Sequence, residues 1–306
     1  MIVLLGPTAV GKTALSAALC NRYGGHVVNA DSRQIYRQMD IGTAKPTPDE
    51  ITHAPHHLID IRNPDESLSL SEYQTLAYQT INDLHAKQIQ PLLIGGSALY
   101  IRSVVEGLRI PEVPPNPELR AELEALGANG GWQALFAKLE DLDPATAQQI
   151  DRRNMRRVIR ALEIVMMTGQ SKVELEGKEQ PPYRILQIGL DRPRENLYQR
   201  IDQRVDLMIE RGLIDETKAL LATGYDIRLP AMTSLGYREI IAYINGTLTL
   251  DDAIAQIKTE THRFVRHQYT WFRRMANIDW FDMTTNPTEG ILTHIEEFLD
   301  NPQRTM

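Results

Sequence analysis

The chain has 306 residues, of which 42% are hydrophobic and 24% are charged. This composition excludes disorder as the main state, and at about 150 residues per domain it suggests one large domain or a core with a second lobe. Because no apolar run approaches the roughly 18 residues of a membrane span, and because no secretion signal is visible at Met1, we expect a cytoplasmic protein. The single cysteine, Cys20, can form neither an internal disulfide nor a cysteine-built zinc site.

The charge balance gives two opposite indications about nucleic acids. The formal net charge of −7 argues mildly against a nucleic-acid-binding protein, since phosphates attract cations. The cations are clustered, however, and local fields matter more for binding than the total. Five arginines fall within nine positions: Arg152, Arg153, Arg156, Arg157 and Arg160. A second basic stretch contains Lys258, Arg263, Arg266, Arg273 and Arg274.

The first third of the chain alternates between strand-like and helix-like patterns. The apolar runs predict strands over 2–5, 26–30, 57–61 and 91–94, and helical spacing predicts helices over 12–22 and 71–86. Strands separated by helices form a parallel sheet with helices on both faces. The sequence therefore predicts an α/β fold.

Two groups of prolines divide the chain. The first lies between Pro111 and Pro117, and the second is Pro181-Pro182; such clusters are typical of boundaries. Between them the spacing is helical, whereas a strand over 184–188 and a long helix starting near Thr249 follow the second group. We predict that 1–111 form the first part of an α/β core, 112–182 an all-helical insertion domain, and 183–306 the completion of the core.

The first strand leads into a phosphate-binding motif. Residues 6–13 match G-x-x-x-x-G-K-[ST] in full, with Gly6, Pro7, Thr8, Ala9, Val10, Gly11, Lys12 and Thr13. In such a loop backbone N–H groups surround a phosphate, the lysine adds a charge, and the hydroxyl of Thr13 can hold Mg²⁺. We therefore predict a P-loop NTPase-like core that binds a diphosphate or polyphosphate.

The buried strand over 91–94 ends in Gly95-Gly96-Ser97 and not in a carboxylate. An ATP-hydrolysing motor needs an acidic residue for Mg²⁺ at such a strand end, so this class is disfavoured. A transferase that holds a phosphate leaving group is favoured.

Asp31 follows the second strand, where ligands bind in open α/β sheets. Its position alone fits a general base and a helix cap equally well.

Four segments carry a resemblance to a known family: residues 31–36, 39–46, 55–60 and 95–100, which read DSRQIY, MDIGTAKP, PHHLID and GGSALY. Together with the phosphate loop, they resemble the bacterial tRNA dimethylallyltransferase (isopentenyl-tRNA transferase) family. The resemblance extends from Gly6 to about Phe281. It implies transfer of a dimethylallyl group from dimethylallyl diphosphate to the exocyclic amine of the adenosine 3′-adjacent to the tRNA anticodon, with Mg²⁺ as cofactor. The implied partner is the tRNA anticodon stem-loop, and no membrane or obligate protein partner is indicated.

The resemblance also implies roles for individual residues. Asp31 matches the family's base, Arg204 matches an arginine on the diphosphate, and the loop 6–13 would hold that diphosphate with Mg²⁺ at Thr13. Ser97 stands where the family more often has threonine. The implied tRNA contacts are Asp31, Ser32, Arg33, Gln34, Ser97, Arg120, Arg156, Arg157 and Arg160.

Three alternatives remain open from the sequence. A small-molecule kinase would use ATP at the phosphate loop, and a prenyltransferase of free adenine nucleotides would need no arginine-rich helix. A non-enzymatic RNA-binding nucleotide switch would bind RNA in a nucleotide-dependent manner without transferring a prenyl group.

Overall fold

The computed structural model describes residues 1–301, which fall into two compact units. One unit contains residues 1–105 and those from 182 onward, and the other contains residues 106–181. The last five residues of the range 183–306, which we predict to complete the core, lie outside the described residues. No helix within residues 1–301 is both long and apolar enough to cross a membrane.

The first unit begins with alternating strands and helices. In chain order these are β1 (Ile2–Leu5), α1 (Lys12–Tyr23), β2 (Gly25–Asn29), α2 (Pro48–His53), β3 (His56–His57), α3 (Leu70–Ala86), β4 (Gln90–Gly95) and α4 (Ala98–Val105). The second unit then contains β5 (Leu108–Arg109), α5 (Pro117–Leu142), α6 (Pro144–Ala147), α7 (Met155–Thr168), α8 (Lys172–Leu175) and β6 (Gly177–Lys178). The chain returns to the first unit with β7 (Leu186–Asp191), α9 (Arg194–Glu210), α10 (Leu213–Ala222), α11 (Tyr237–Ile244), α12 (Leu250–Phe272), β8 (Ile278–Asp282) and α13 (Thr288–Asp300).

A six-stranded sheet in the order β3-β2-β4-β1-β7-β8 forms the centre of the first unit, and every pair of neighbours is parallel. Ile2 of β1 lies between Leu92 and Leu186 in the register. Since β1 is covered on both faces, all four of its residues are apolar and buried. The predicted α/β fold with a parallel sheet is confirmed. Its carboxyl edge gathers the phosphate loop after β1, Asp31 after β2 and Gly96 after β4.

The predicted strand over 57–61 is wrong for most of its length. Only His56 and His57 pair with β2. Leu58 and Asp60 have φ angles of 62° and 54°, so the backbone leaves the extended conformation there. Asp60 instead forms an ion pair with Lys45. The alternation of apolar and polar residues therefore belongs to a loop, in which Leu58 is buried and Asp60 faces a cation.

The helices after the second proline group bury apolar residues at helical spacing. Leu197, Ile201 and Val205 of α9 are buried. The start predicted near Thr249 is confirmed: its side chain accepts a hydrogen bond from the N–H of Asp252 (3.1 Å) and caps α12. The strand predicted over 184–188 is displaced by two residues and continues to Asp191 as β7.

The second unit is built on the packing of α5 against α7. Its core contains Leu123, Leu135 and Leu139 of α5 with Val158 and Leu162 of α7, and β5 pairs antiparallel with β6. α5 is interrupted at a glycine, Gly131, whose φ of 68° is not helical. The helical spacing places Met166 on the same face of α7 as Val158 and Leu162, but its side chain is 40% exposed.

Candidate active site

The phosphate loop closes a sharp turn between β1 and α1. Gly6 and Gly11 have φ angles of 153° and 121°, which L side chains rarely adopt. A Cβ atom at Gly6 would also lie 2.7 Å from the carbonyl oxygen of Leu190 on β7. Glycine is therefore required at Gly6 both by the backbone angle and by the close approach of the neighbouring strand.

Lys12 begins α1 and turns back over the loop. Its Nζ donates hydrogen bonds to the carbonyl oxygens of Gly6 (2.9 Å) and Pro7 (2.8 Å). The pKa of Lys12 is lowered to about 8, mainly by burial; the charge of Asp31 opposes this shift, and the charge of Arg204 adds to it. The ammonium group therefore lies over the carbonyl oxygens of the loop and loses its proton more easily than an exposed lysine does.

Three arginines from the segment after β7 contact the same loop. Nε of Arg192 donates to the carbonyl oxygen of Val10 (2.9 Å), and Nε of Arg200 donates to that of Ala9 (2.9 Å). Nη1 of Arg204 donates to Oγ1 of Thr8 (3.4 Å). The sequence pointed to Arg204 alone. Its spacing of four residues from Arg200, which puts both on one face of α9, is the signal that could have indicated Arg200 as well.

A cavity of about 670 Å³ opens at the carboxyl edge of the sheet, a typical size for a ligand site. Several of the predicted site residues line it together: Thr8, Asp31, Ser32, Arg33, Ser97 and Arg204. Oδ1 of Asp31 accepts a hydrogen bond from the N–H of Arg33 (2.9 Å). The carboxylate therefore shapes the turn after β2 and also lines the cavity. It caps no helix, since the next helix, α2, begins only at Pro48, and the helix-cap alternative is wrong.

Ser97 links the ends of β2 and β4. Its Oγ accepts from the N–H of Ser32 (2.9 Å) and donates to the hydroxyl of Ser32 (3.1 Å). The hydroxyl that serine shares with threonine is therefore used to fix the residue next to Asp31.

Gln268 of α12 is a site residue that sequence reasoning missed. Its Oε1 accepts from the N–H of Thr8 (3.0 Å), and its Nε2 donates to the carbonyl oxygen of Gly96 (2.9 Å). The side chain is buried and lines the cavity. It bridges the phosphate loop and the turn after β4. A glutamine inside an amphipathic helix gives no sequence signal of such a role.

Gln34 lies beside the cavity and not in its wall. Its Nε2 donates to the carbonyl oxygens of Thr43 (3.3 Å) and Ala44 (3.0 Å). Arg33, in contrast, lines the cavity and donates from Nη1 to the carbonyl oxygen of Pro230 (3.1 Å).

A second cavity, of about 630 Å³, adjoins the first beside the phosphate loop. Thr13 lines it, and Arg204 and Ala44 line both cavities. Within residues 1–301 no three His, Cys, Asp or Glu side chains are grouped to hold a metal ion. Thr13 is an exposed residue with a hydroxyl group, and this nevertheless fits Mg²⁺, because the ion is usually bound through few protein ligands plus substrate phosphates.

The arginines of the second unit differ in their surroundings. Glu163 is fully buried and accepts hydrogen bonds from Arg120 (2.8 Å), Arg160 (2.6 Å) and the N–H of Asn116 (2.8 Å). Burial raises the pKa of Glu163, but these hydrogen bonds outweigh burial and leave it below its ordinary value. Arg120 and Arg160 therefore neutralise a buried carboxylate, as such charges require.

The remaining basic residues of α7 and the turn before it face solvent. These are Arg152, Arg153, Arg156 and Arg157. Arg152 stacks over the ring of Trp132, with 5.1 Å between the guanidinium carbon and the ring centroid. The four side chains are therefore open to solvent, unlike those of Arg120 and Arg160, which are bound to Glu163.

Known proteins show the same combination of sequence and fold. Residues 34–275 match the IPP transferase family. The chain is 51% identical to a tRNA dimethylallyltransferase of Thermomicrobium roseum over 93% of this chain and 86% of that protein. It is 50% identical to a tRNA dimethylallyltransferase of Chloroflexus aggregans over 91% and 94% of the two chains.

Solved structures agree with these relatives. The full-length tRNA isopentenylpyrophosphate transferase of Bacillus halodurans is 41% identical, with a TM-score of 0.73 over 98% of this chain and 96% of that one. A eukaryotic dimethylallyltransferase acting on tRNA is 26% identical, with a TM-score of 0.84 over 100% of this chain and 81% of that one. The chain therefore belongs to the IPP transferase family, the family of the tRNA dimethylallyltransferases.

Proposed function

We propose that this protein transfers the dimethylallyl group of dimethylallyl diphosphate to the exocyclic amine of the adenosine 3′-adjacent to the anticodon of tRNA. The observation that carries the proposal is the shared cavity of Thr8, Arg204 and Asp31, in which a phosphate-binding loop faces a carboxylate. The names of the relatives, tRNA dimethylallyltransferase, supply the substrate class. A phosphate loop beside a carboxylate fits an allylic diphosphate and an amine that must lose a proton.

In the proposed reaction the amine nitrogen forms a bond to C1 of the dimethylallyl group. The C1–oxygen bond breaks, and its electron pair leaves with the diphosphate. Lys12 and Arg204 stabilise the negative charge that develops on this leaving group. Asp31 accepts the proton of the amine, which is a weak nucleophile because its lone pair is delocalised into the purine ring.

Thr13 would hold Mg²⁺ together with the diphosphate oxygens. The ion, when bound, neutralises charge on the leaving group. The protein contributes the hydroxyl of Thr13 and the cations of Lys12 and Arg204, while the diphosphate contributes the remaining oxygens.

The adenosine must leave its stack in the anticodon loop to reach Asp31, and this costs least in a single-stranded loop. Ser32, Arg33 and Ser97 line the cavity that would receive it. Gln34 stays a predicted base contact, with its amide nitrogen bonded to carbonyl oxygens of the neighbouring loop. Because tRNA is the substrate, the proposed location is the cytoplasm.

The helical unit, proposed as the insertion domain over 112–182, would contact the tRNA backbone through Arg156 and Arg157. We expect the double substitution of these residues by alanine to weaken binding of an anticodon stem-loop and to reduce the salt dependence of binding, by about 0.7–0.9 in the log–log slope per lost phosphate contact. Fluorescence anisotropy at several salt concentrations measures both quantities.

Lys178→Ala is the matched control, since it removes an exposed cation from the same unit. It is expected to leave the slope unchanged. Arg120 and Arg160 remain predicted tRNA contacts. They are tested separately, because replacing them also leaves the buried carboxylate of Glu163 without its cations. An unchanged slope in the Arg156/Arg157 variant would remove the helical unit as the backbone contact.

The activity is tested by incubating the protein with dimethylallyl diphosphate, Mg²⁺ and an unmodified anticodon stem-loop, followed by mass spectrometry of the nucleosides. The expected product is N6-dimethylallyladenosine. Prenylation of free adenosine monophosphate but not of the stem-loop would support the free-nucleotide prenyltransferase instead. Phosphorylation of a small molecule by ATP without prenyl transfer would support the kinase.

A further inference from the structure

One loop forms a wall of both cavities. Residues 40–45, which we call the 40–45 loop, contribute Gly42, Thr43 and Ala44 to the cavity that contains Asp31. The same loop contributes Asp40, Ile41 and Lys45 to the cavity that contains Thr13. Its position therefore affects the space beside Asp31 and the space beside Thr13.

Three consecutive backbone N–H groups of the loop are bound by one carboxylate, that of Glu216 on α10. Oε2 of Glu216 accepts hydrogen bonds from the N–H groups of Asp40 (2.9 Å) and Ile41 (2.8 Å). Oε1 accepts from the N–H of Gly42 (3.1 Å) and the hydroxyl of Tyr237 (2.6 Å). An ionised carboxylate offers about four acceptor sites, so these four donors use its full capacity. Hydrogen bonds to a charged acceptor are also stronger than those between neutral groups.

Tyr237 completes the attachment from the first residue of α11. Its ring is buried, and a Cβ atom at Gly42 would lie 2.5 Å from Cε2 of that ring. Glycine therefore lets the loop lie directly against the tyrosine. Burial and then the charge of Glu216 raise the pKa of Tyr237 well above its ordinary value, so its hydroxyl remains a donor.

We infer that Glu216 is a positioning residue for the transfer reaction. Together with Tyr237 it fixes the 40–45 loop, and through that loop the shape of the two adjoining cavities. This inference rests on the proposed function. Its physical reason is that displacements of about 1 Å in reacting groups can cost on the order of 10²-fold in rate.

The test is Glu216→Gln in the full-length protein. The amide replaces one carboxylate oxygen by an NH₂ group, which donates and cannot accept. This group then faces either the N–H groups of Asp40 and Ile41 or the N–H of Gly42 and the hydroxyl of Tyr237. We expect the KM for dimethylallyl diphosphate to rise about tenfold and kcat/KM to fall by about 10–10²-fold. Hydrogen exchange at the amides of residues 40–42 should accelerate, while binding of the stem-loop stays within about twofold, because the arginines of the helical unit are untouched.

Two further variants calibrate this result. Tyr237→Phe keeps the ring under Gly42 and removes one of the four donors. We expect its kcat/KM to fall by at most about fivefold, because only one hydrogen bond is lost. Asp215→Asn changes the neighbouring carboxylate on the same turn, whose side chain is 86% exposed. It should leave KM, kcat and exchange at the wild-type values.

A role in general stability alone would reduce the amount of active protein without changing KM or the exchange of three particular amides. Wild-type KM and wild-type exchange in a folded Glu216→Gln variant would overturn the inference. If that variant does not fold, Glu216→Asp decides, because its shorter side chain keeps the charge but draws the carboxylate away from the N–H groups of residues 40–42. Wild-type KM and wild-type exchange at these amides in Glu216→Asp would equally overturn the inference. If the wild-type protein forms no prenylated adenosine, the proposed function fails, and the exchange data still show whether Glu216 holds the loop.

Discussion

Replacing Asp31 by asparagine is expected to slow prenyl transfer by about 10²–10⁴-fold, the usual contribution of a general base. Asparagine keeps an oxygen that can accept the hydrogen bond from the N–H of Arg33, which Oδ1 of Asp31 accepts at 2.9 Å. The turn after β2 should therefore persist while the group that takes the proton is lost. Single-turnover measurements with the anticodon stem-loop give the rate of the chemical step.

Asp31→Ala separates the two roles of the carboxylate. It removes both the base and the turn-forming acceptor, so its chemical step should be as slow as that of the asparagine variant and its thermal unfolding should occur at a lower temperature. Both variants should bind the stem-loop normally. Asp65→Asn, in an exposed turn, is the control and should react at the wild-type rate. If the asparagine variant reacts at the wild-type rate, Asp31 is not the general base and its role is limited to forming the turn after β2.

Lys12→Ala is expected to lower kcat by about 10²–10³-fold, the loss seen when one preorganised donor to a developing negative charge is removed. The ammonium group is held over the loop by the carbonyl oxygens of Gly6 and Pro7. Its positive charge would stabilise the negative charge of the leaving diphosphate. Weaker binding of inorganic diphosphate, measured by calorimetry, should accompany the loss. Activity within tenfold of wild type would show that the arginines of α9 suffice.

The lowered pKa of Lys12 also predicts a dependence on pH. In the free protein this pKa is about 8, so the ammonium is charged below pH 8 and loses its proton above it. The kcat/KM for dimethylallyl diphosphate, which reports the free enzyme, should therefore fall as pH rises through 8. The value of kcat should fall only at higher pH, because a bound diphosphate favours the charged form.

Lys12→Arg is the control for this profile, since a guanidinium keeps its proton throughout the range. The fall in kcat/KM near pH 8 should disappear in this variant. Should the arginine not fit the loop, the same pH dependence is measured in the wild-type protein as the affinity for inorganic diphosphate. A binding profile that is flat between pH 7 and pH 9 would contradict the assignment to Lys12.

Local patterns specified much of this protein. The motif at residues 6–13 predicted the phosphate loop because its glycines permit angles such as the φ of 153° at Gly6. The cap at Thr249 fixed the start of α12 through contacts three residues apart. Strings such as DIGTAKP indicated the family, and the apolar runs indicated a parallel sheet. All of these depend on residues that are close together in the chain.

Interactions between distant residues were decided only by the tertiary structure. Gln268 and Glu216 reach loops that lie more than 170 positions away in the sequence. The buried Glu163 forms ion pairs with Arg120 and Arg160. The row of arginines over 152–160, which appears uniform in the sequence, therefore contains one ion-paired residue and four exposed ones. The strand predicted over 57–61 became a loop, since the left-handed angles at Leu58 and Asp60 leave no continuous ladder with β2.

The sequence by itself determined the phosphate loop, the α/β class and the family, because backbone angles and hydrophobic periodicity are local properties. The tertiary structure decided which polar groups meet at the carboxyl edge of the sheet. A buried donor or acceptor must find a partner wherever the packing of helices brings one, and that partner is set by the fold as a whole.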